Sequence, residues 1–128
     1  MPAWDEYKTT ARERGALAFE LYVVNTRPVK GPPELQATLP DHLAYQKELE
    51  TAGKLFLAGP VSDDTGNQMM GSGLVIYRAS SMEEAKELAD GDPMHAKGVR
   101  EYTLRKWLVN EGSPSFSTAL SDKRVTLS

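Results

Sequence analysis

The chain has 128 residues and a formal net charge of −3 with acids and bases interspersed; this fits one domain and lacks the basic stripe of a nucleic-acid footprint. It contains no cysteine, which excludes a disulfide framework, a thiolate nucleophile and thiolate-bound zinc. The charged opening MPAWDEYKTTARERG lacks the apolar stretch of a secretory signal, and no apolar run is long enough to span a bilayer; a cytoplasmic protein is expected, with no membrane and no nucleic acid among its partners.

Residues 4–14, WDEYKTTARER, are compatible with a helix but mostly polar. ALAFELYVVNT, residues 16–26, is rich in β-branched and aromatic residues and predicts a strand. Leu17, Phe19, Leu21 and Val23 alternate there with Ala18, Tyr22 and Val24, so both faces are apolar except at Glu20. A strand of that kind needs cover on both sides. RPVKGPPE is a connector. A helix is expected from Glu34 to Ala52, open to interruption at Pro40 and ended by Gly53. KLFLAGPV is a second strand that ends near Gly59-Pro60, SDDTGNQ is a turn, and SGLVIYRA is a third strand. Ser81 with Glu84 three residues on makes a capping box. Met82, Ala85, Leu88 and Ala89 supply the apolar face of that helix, and Gly91 ends it. VREYTLRKWLVNE reads as a long alternating strand, and SFSTALSDKRVTLS as a hairpin turning at Ser121-Asp122 or a frayed tail.

The order is β-α-β-β-α-β with an extra N-terminal helix and a C-terminal hairpin or tail. That is an α+β, ferredoxin-like pattern: an antiparallel sheet with two helices on one face. It is read as a single domain over residues 1–128, with its core at 17–109. The helices leave one sheet face bare, and a second copy of the chain would cover it, so a homodimer joined through the sheets is expected.

Helical periodicity places Leu39, Leu43 and Leu49 on one side of the long helix, with His42 and Gln46 in the same arc. An imidazole is therefore aimed at the sheet, either as a partly buried histidine satisfied by a carbonyl or as a group at a cleft. Asp92 before Pro93 is what a helix start wants, with Asp at the cap and Pro in the first turn. A cap also fixes a carboxylate, and a fixed carboxylate can orient an imidazole for general acid–base work. Gly71-Ser72-Gly73 opens a strand rather than a helix, so it lacks the phosphate site of a dinucleotide fingerprint. Its glycines let another backbone pass closely, and the Ser72 hydroxyl is a candidate pocket donor. His95 is expected in a solvated loop, Met69 and Met70 in core or pocket wall, and Trp4 and Trp107 in packing. No metal-ligand spacing and no cofactor motif is present.

Together, DHLAYQKELETAGKLFLAGPVSDDTG and GSGLVIYRASSMEEAKELADGDPMHAKGVREYTLRKW resemble the YCII-related family. The resemblance rests on a histidine in the first helix of the βαββαβ unit, Gly-Pro after the second strand, Gly-Ser before the third, and Asp-Pro after the second helix. In order these are His42, Gly59-Pro60, Gly71-Ser72 and Asp92-Pro93, and the match covers residues 17–109. The resemblance implies a dimeric α+β barrel. It also implies a His42–Asp92 catalytic dyad in a pocket between sheet and helices, with Ser72, Gly59 and Pro60 on the substrate. The wider superfamily includes muconolactone-isomerase-like enzymes, and one family member is proposed to remove chloride from a chlorinated hydroxyhydroquinone. The resulting expectation is a cofactor-independent isomerase or lyase acting by proton transfer on a small aromatic or enolisable molecule. The alternatives are a non-catalytic dimeric small-ligand-binding or stress-related module and a cofactor-free monooxygenase of the same superfamily.

Overall fold

The computed structural model describes residues 1–128. It divides into two compact units, Glu20–Trp107 and a second that joins Met1–Phe19 to Leu108–Ser128. The elements run α1 (Trp4–Glu13), β1 (Phe19–Pro28), α2 (Pro32–Thr51), β2 (Leu55–Ser62), β3 (Met69–Tyr77), α3 (Met82–Gly91), α4 (Pro93–Ala96), β4 (Arg100–Val109), β5 (Phe116–Ala119) and β6 (Arg124–Leu127). No helix is long and apolar enough to cross a membrane.

In the unit formed by the two ends of the chain, Arg14 Nη2 donates to the Tyr7 hydroxyl at 2.8 Å. The Leu17 N–H donates to the Asn110 carbonyl at 2.9 Å. The C-terminal segment is a hairpin and not a frayed tail: β5 and β6 pair antiparallel from Phe116↔Leu127 to Ala119↔Arg124.

The larger unit holds the four-stranded sheet in the order β2-β3-β1-β4. This is the strand order of a ferredoxin-like βαββαβ unit. The antiparallel registers stack side chains into rows, because residues directly opposite share a face. Two rows meet the helices: Tyr22, Tyr77 and Leu55, then Val24, Val75 and Ala58. Tyr22, Val24, Val75 and Tyr77 form one buried cluster with Leu49 of α2 and Ala85, Leu88 and Ala89 of α3. Fully burying each large apolar side chain of this kind stabilises by about 1.5–3 kcal/mol. The third row on the same face is Thr26, Gly73 and Pro60. It has no side chain at its centre, and a hollow opens there.

Two local expectations change. Helix α2 runs through Pro40 without a break. Proline inside a helix costs about 3 kcal/mol or more, but Thr38 and Leu49 are buried on either side of it and hold the helix in place. The capping box at α3 is shifted by one residue at its second bond. The Glu84 N–H donates to Ser81 Oγ at 3.1 Å, whereas the Glu84 carboxylate reaches back to the Ser80 hydroxyl at 2.5 Å. That hydroxyl holds the Glu84 carboxyl below its usual range.

Candidate functional site

The hollow above the third row measures about 390 Å³. Its roof is a stripe of α2, Leu39, His42, Leu43 and Gln46, spaced i, i+3, i+4, i+7 as one helix face requires. Its floor includes Gly59, Pro60, Ser72 and Gly73. Leu39 and Leu43 are largely exposed because the empty row beneath gives them nothing to pack on. A Cβ at Gly73 would stand 3.2 Å from the Gly59 carbonyl, so the close approach of β2 and β3 depends on glycine there. Gly71 has φ +88°, and a Cβ on it would meet Pro28 Cγ at 2.9 Å.

Asp92 stands between α3 and α4. Its backbone is extended, and Oδ1 accepts the Met94 N–H at 2.9 Å, which caps α4. The same carboxylate lies with both oxygens 2.9 Å from His42 Nδ1. Asp92 is therefore a cap and a histidine partner at once, and at 1 % exposure it is among the most buried side chains. A carboxylate only accepts, so Nδ1 carries the proton and donates, which leaves Nε2 as the second nitrogen of a ring that lines the hollow. Burial and then the Asp92 charge raise the Tyr45 phenol above its ordinary value. The same two causes, in the same order, raise Tyr77. Both stay protonated at neutral pH, so neither phenol adds a charge beside the His42–Asp92 pair. Tyr45 donates to the Leu88 carbonyl at 2.7 Å, over a spot where a Cβ on Gly91 would come within 2.6 Å of its hydroxyl.

The residues singled out from sequence thus assemble around one hollow. His42, Ser72, Gly59 and Pro60 line it, and Asp92 stands behind His42. Met69 is in its wall. His95 is not a solvated loop residue. Capping by Asp92 winds residues 93–96 into a short helix that turns the ring inward. There Nδ1 donates to the Ala89 carbonyl at 2.7 Å, Nε2 lies 2.9 Å from Thr26 Oγ1, and the ring rests against Tyr102 with centroids 4.6 Å apart. Trp107 is likewise not interior packing. It falls in the outward register of β4 and is 43 % exposed.

Arg100 is the residue that sequence reasoning missed. It lines the same hollow as His42. The available signal was β4's alternation, which sets Arg100 in register with Tyr102 and Leu104, both packed against the core. A cation on the inward face of a strand demands an explanation. A second, larger depression of about 650 Å³ is lined by Asn25, Arg27, Met70 and Glu101 among others, and Ser72 borders both. Its charged groups, Arg27 and Glu101, pair with each other, and neither His42 nor Asp92 reaches it. The dyad hollow is therefore the candidate site. No group of three or more histidine or acidic side chains is arranged to hold a metal ion.

A family model, the YCII-related domain, matches residues 19–108. The chain belongs to the YCII-related family. It is also 35 % identical over 66 residues to the uncharacterized protein YjpA of Bacillus subtilis (strain 168), a stretch that covers 52 % of this chain and 71 % of YjpA. Among solved structures it is similar to 5-chloro-2-hydroxyhydroquinone dehydrochlorinase (TftG) from Burkholderia phenoliruptrix AC1100, determined in complex with 2,5-dihydroxybenzoquinone. The TM-score is 0.52 and the identity 24 %, over 68 % of this chain and 92 % of that one. This second likeness supports the α+β fold and, at that identity, nothing finer.

Proposed function

We propose that this YCII-related protein is an enzyme that moves a proton on a small aromatic or enolisable molecule bound in the His42 hollow. The observation that carries the reading is the 2.9 Å contact of His42 Nδ1 with the buried Asp92 carboxylate, which leaves Nε2 as the proton-accepting nitrogen. In this reading Nε2 removes a proton from a hydroxyl or an enolisable carbon. The freed electron pair shifts into a conjugated carbonyl, giving isomerisation, or expels a leaving group, giving elimination. The imidazolium that forms is stabilised by Asp92; in isomerisation it returns the proton to a different atom of the same molecule, and in elimination it gives the proton to the departing group or to solvent. The dehydrochlorinase activity of TftG is an elimination-type reaction on an oxygenated ring, and it guides the choice of probe. Ser72, at the floor, is assigned to a substrate oxygen, with Gly59 and Pro60 as the adjoining surface.

Replacing His42 with Gln keeps an amide near the ring's position but removes the base. The expected result is a loss of about 10²–10⁴-fold in proton exchange of enolisable phenols and in chloride release from 5-chloro-2-hydroxyhydroquinone. Unchanged rates in a folded His42→Gln protein reject the role and leave a binding module.

The homodimer belongs to the same proposal. On the sheet face away from the helices, the rows Val23, Ile76, Leu57 and Asn25, Leu74, Gly59 carry Leu57 and Leu74 exposed, and the outward register of β4 adds Trp107. A second copy packed sheet to sheet covers such an apolar face.

A further inference from the structure

Arg100 reaches from the start of β4 under the hollow and is held by three bonds. Nε donates to Thr26 Oγ1 at 2.9 Å, and Nη2 donates to the Thr26 carbonyl at 3.1 Å and to the Gly71 carbonyl at 2.5 Å. Thr26 Oγ1 is itself fixed. With the His95 Nδ1 proton committed to the Ala89 carbonyl, the Thr26 hydroxyl donates to His95 Nε2. The guanidinium is thus pinned from β1, β3 and α3, and Nη1 takes no part in those bonds.

Every acceptor in that set is a neutral oxygen. Arg27 meets Glu101 and Lys97 meets Asp41, whereas Arg100 forms no ion pair. The acid whose field reaches it is Asp92, and that carboxylate is already committed to His42 and the Met94 N–H. Burial works against the charge and pulls the guanidinium below its ordinary value, yet arginine stays protonated in proteins. A half-buried cation at a cavity wall, rigidly held and without a counter-ion, is incomplete. The planar fork of arginine suits an ionised oxygen.

We propose that Arg100 is the anion-binding group of the His42 hollow, and that the ligand bridges the two with an ionised oxygen, a carboxylate or an ionised enol or phenol, on Arg100. This deepens the reading above: it rests on the hollow being the ligand site but not on His42 being a base. It restricts the substrate to anionic or readily ionised oxygen compounds. It also gives the reaction an electrostatic partner, because the negative charge that grows on a conjugated oxygen as His42 takes the proton is met by a cation already in place.

The test uses two probes of nearly the same shape, benzoate and neutral benzamide, titrated against the intact protein and followed by amide chemical-shift changes. Benzoate is expected to bind roughly tenfold or more tightly than benzamide, to weaken as salt is raised, and to perturb amides near Arg100. In Arg100→Gln the benzoate advantage disappears, while Arg100→Lys retains part of it. His42→Gln, which leaves the cation in place, keeps it. No binding of benzoate, equal binding of the two probes, or full benzoate affinity in Arg100→Gln overturns the proposal. Arg100 also ties β1 to β3, so if Arg100→Gln fails to fold, the wild-type comparison of the two probes decides alone. The two readings fail separately. Charge-independent binding with turnover lost in His42→Gln removes only the anion site, and charge-dependent binding with turnover unchanged in His42→Gln removes only the base.

Discussion

Asp92→Asn separates the two jobs of one carboxylate. Asparagine caps a helix about as well as aspartate, so its Oδ1 keeps the 2.9 Å bond from the Met94 N–H. The remaining amide nitrogen then faces His42 Nδ1. An amide N–H donates, and Oδ1, although also 2.9 Å from Nδ1, is already engaged by the Met94 N–H, so the contact favours an accepting Nδ1 with the proton on Nε2. Exchanging a charge-assisted bond for a neutral one costs about 1 kcal/mol of stability. Asp92→Ala is harsher. The lost cap costs about 1 kcal/mol, and a His42 N–H left without its acceptor costs about 1–3 kcal/mol more, so about 2–4 kcal/mol in all. Urea denaturation ranks the two variants, and nitrogen-15 shifts of the His42 ring report its tautomer. If His42 is the base, the inverted tautomer also lowers turnover by about 10⁴-fold, as the same exchange does in the serine-hydrolase triad, or about 5 kcal/mol. Equal destabilisation by Asn and Ala, or a His42 ring that keeps its Nδ1 proton in Asp92→Asn, refutes this reasoning.

Tyr102 links stability to pH at both extremes. Burial first, then its bond to Asp90 and that charge, push its phenol up to about 12 from 10.0, so the stability it confers is complete below pH 10 and is lost as pH rises through about 12. Asp90 is held below its ordinary value of 3.8 by Lys86 and then by Tyr102, so its contribution is present above that value and is lost as pH falls through the lowered one. Tyr102→Phe should flatten both limbs of the urea midpoint plotted against pH, and unchanged limbs count against the linkage. For the sheet-to-sheet dimer, Leu74→Lys places a charge on the exposed apolar face and should convert a sedimenting dimer into a monomer. A wild-type protein that sediments as a monomer at high concentration removes the dimer.

Much of this protein is local and was therefore legible in its residues. β4 announces itself by alternation and β1 by its β-branched and aromatic residues, Ser81 caps α3 and Gly91 ends it, and Gly71 and Gly73 mark where β3 crowds against Pro28 and the Gly59 carbonyl. The family pattern placed His42 and Asp92 as partners although fifty residues separate them. Local rules could not decide Pro40, where distant packing outweighs the lost bond, or His95, whose ring is turned inward by a cap three residues earlier. Nor could they find Arg100. Its meaning lies in three acceptors on two other strands and in the absence of a carboxylate among them. Periodicity reports which side of its own element a residue occupies. Whether a charge there meets a counter-ion, a carbonyl or an open cavity depends on elements far away in the chain, and only the tertiary structure brings those together.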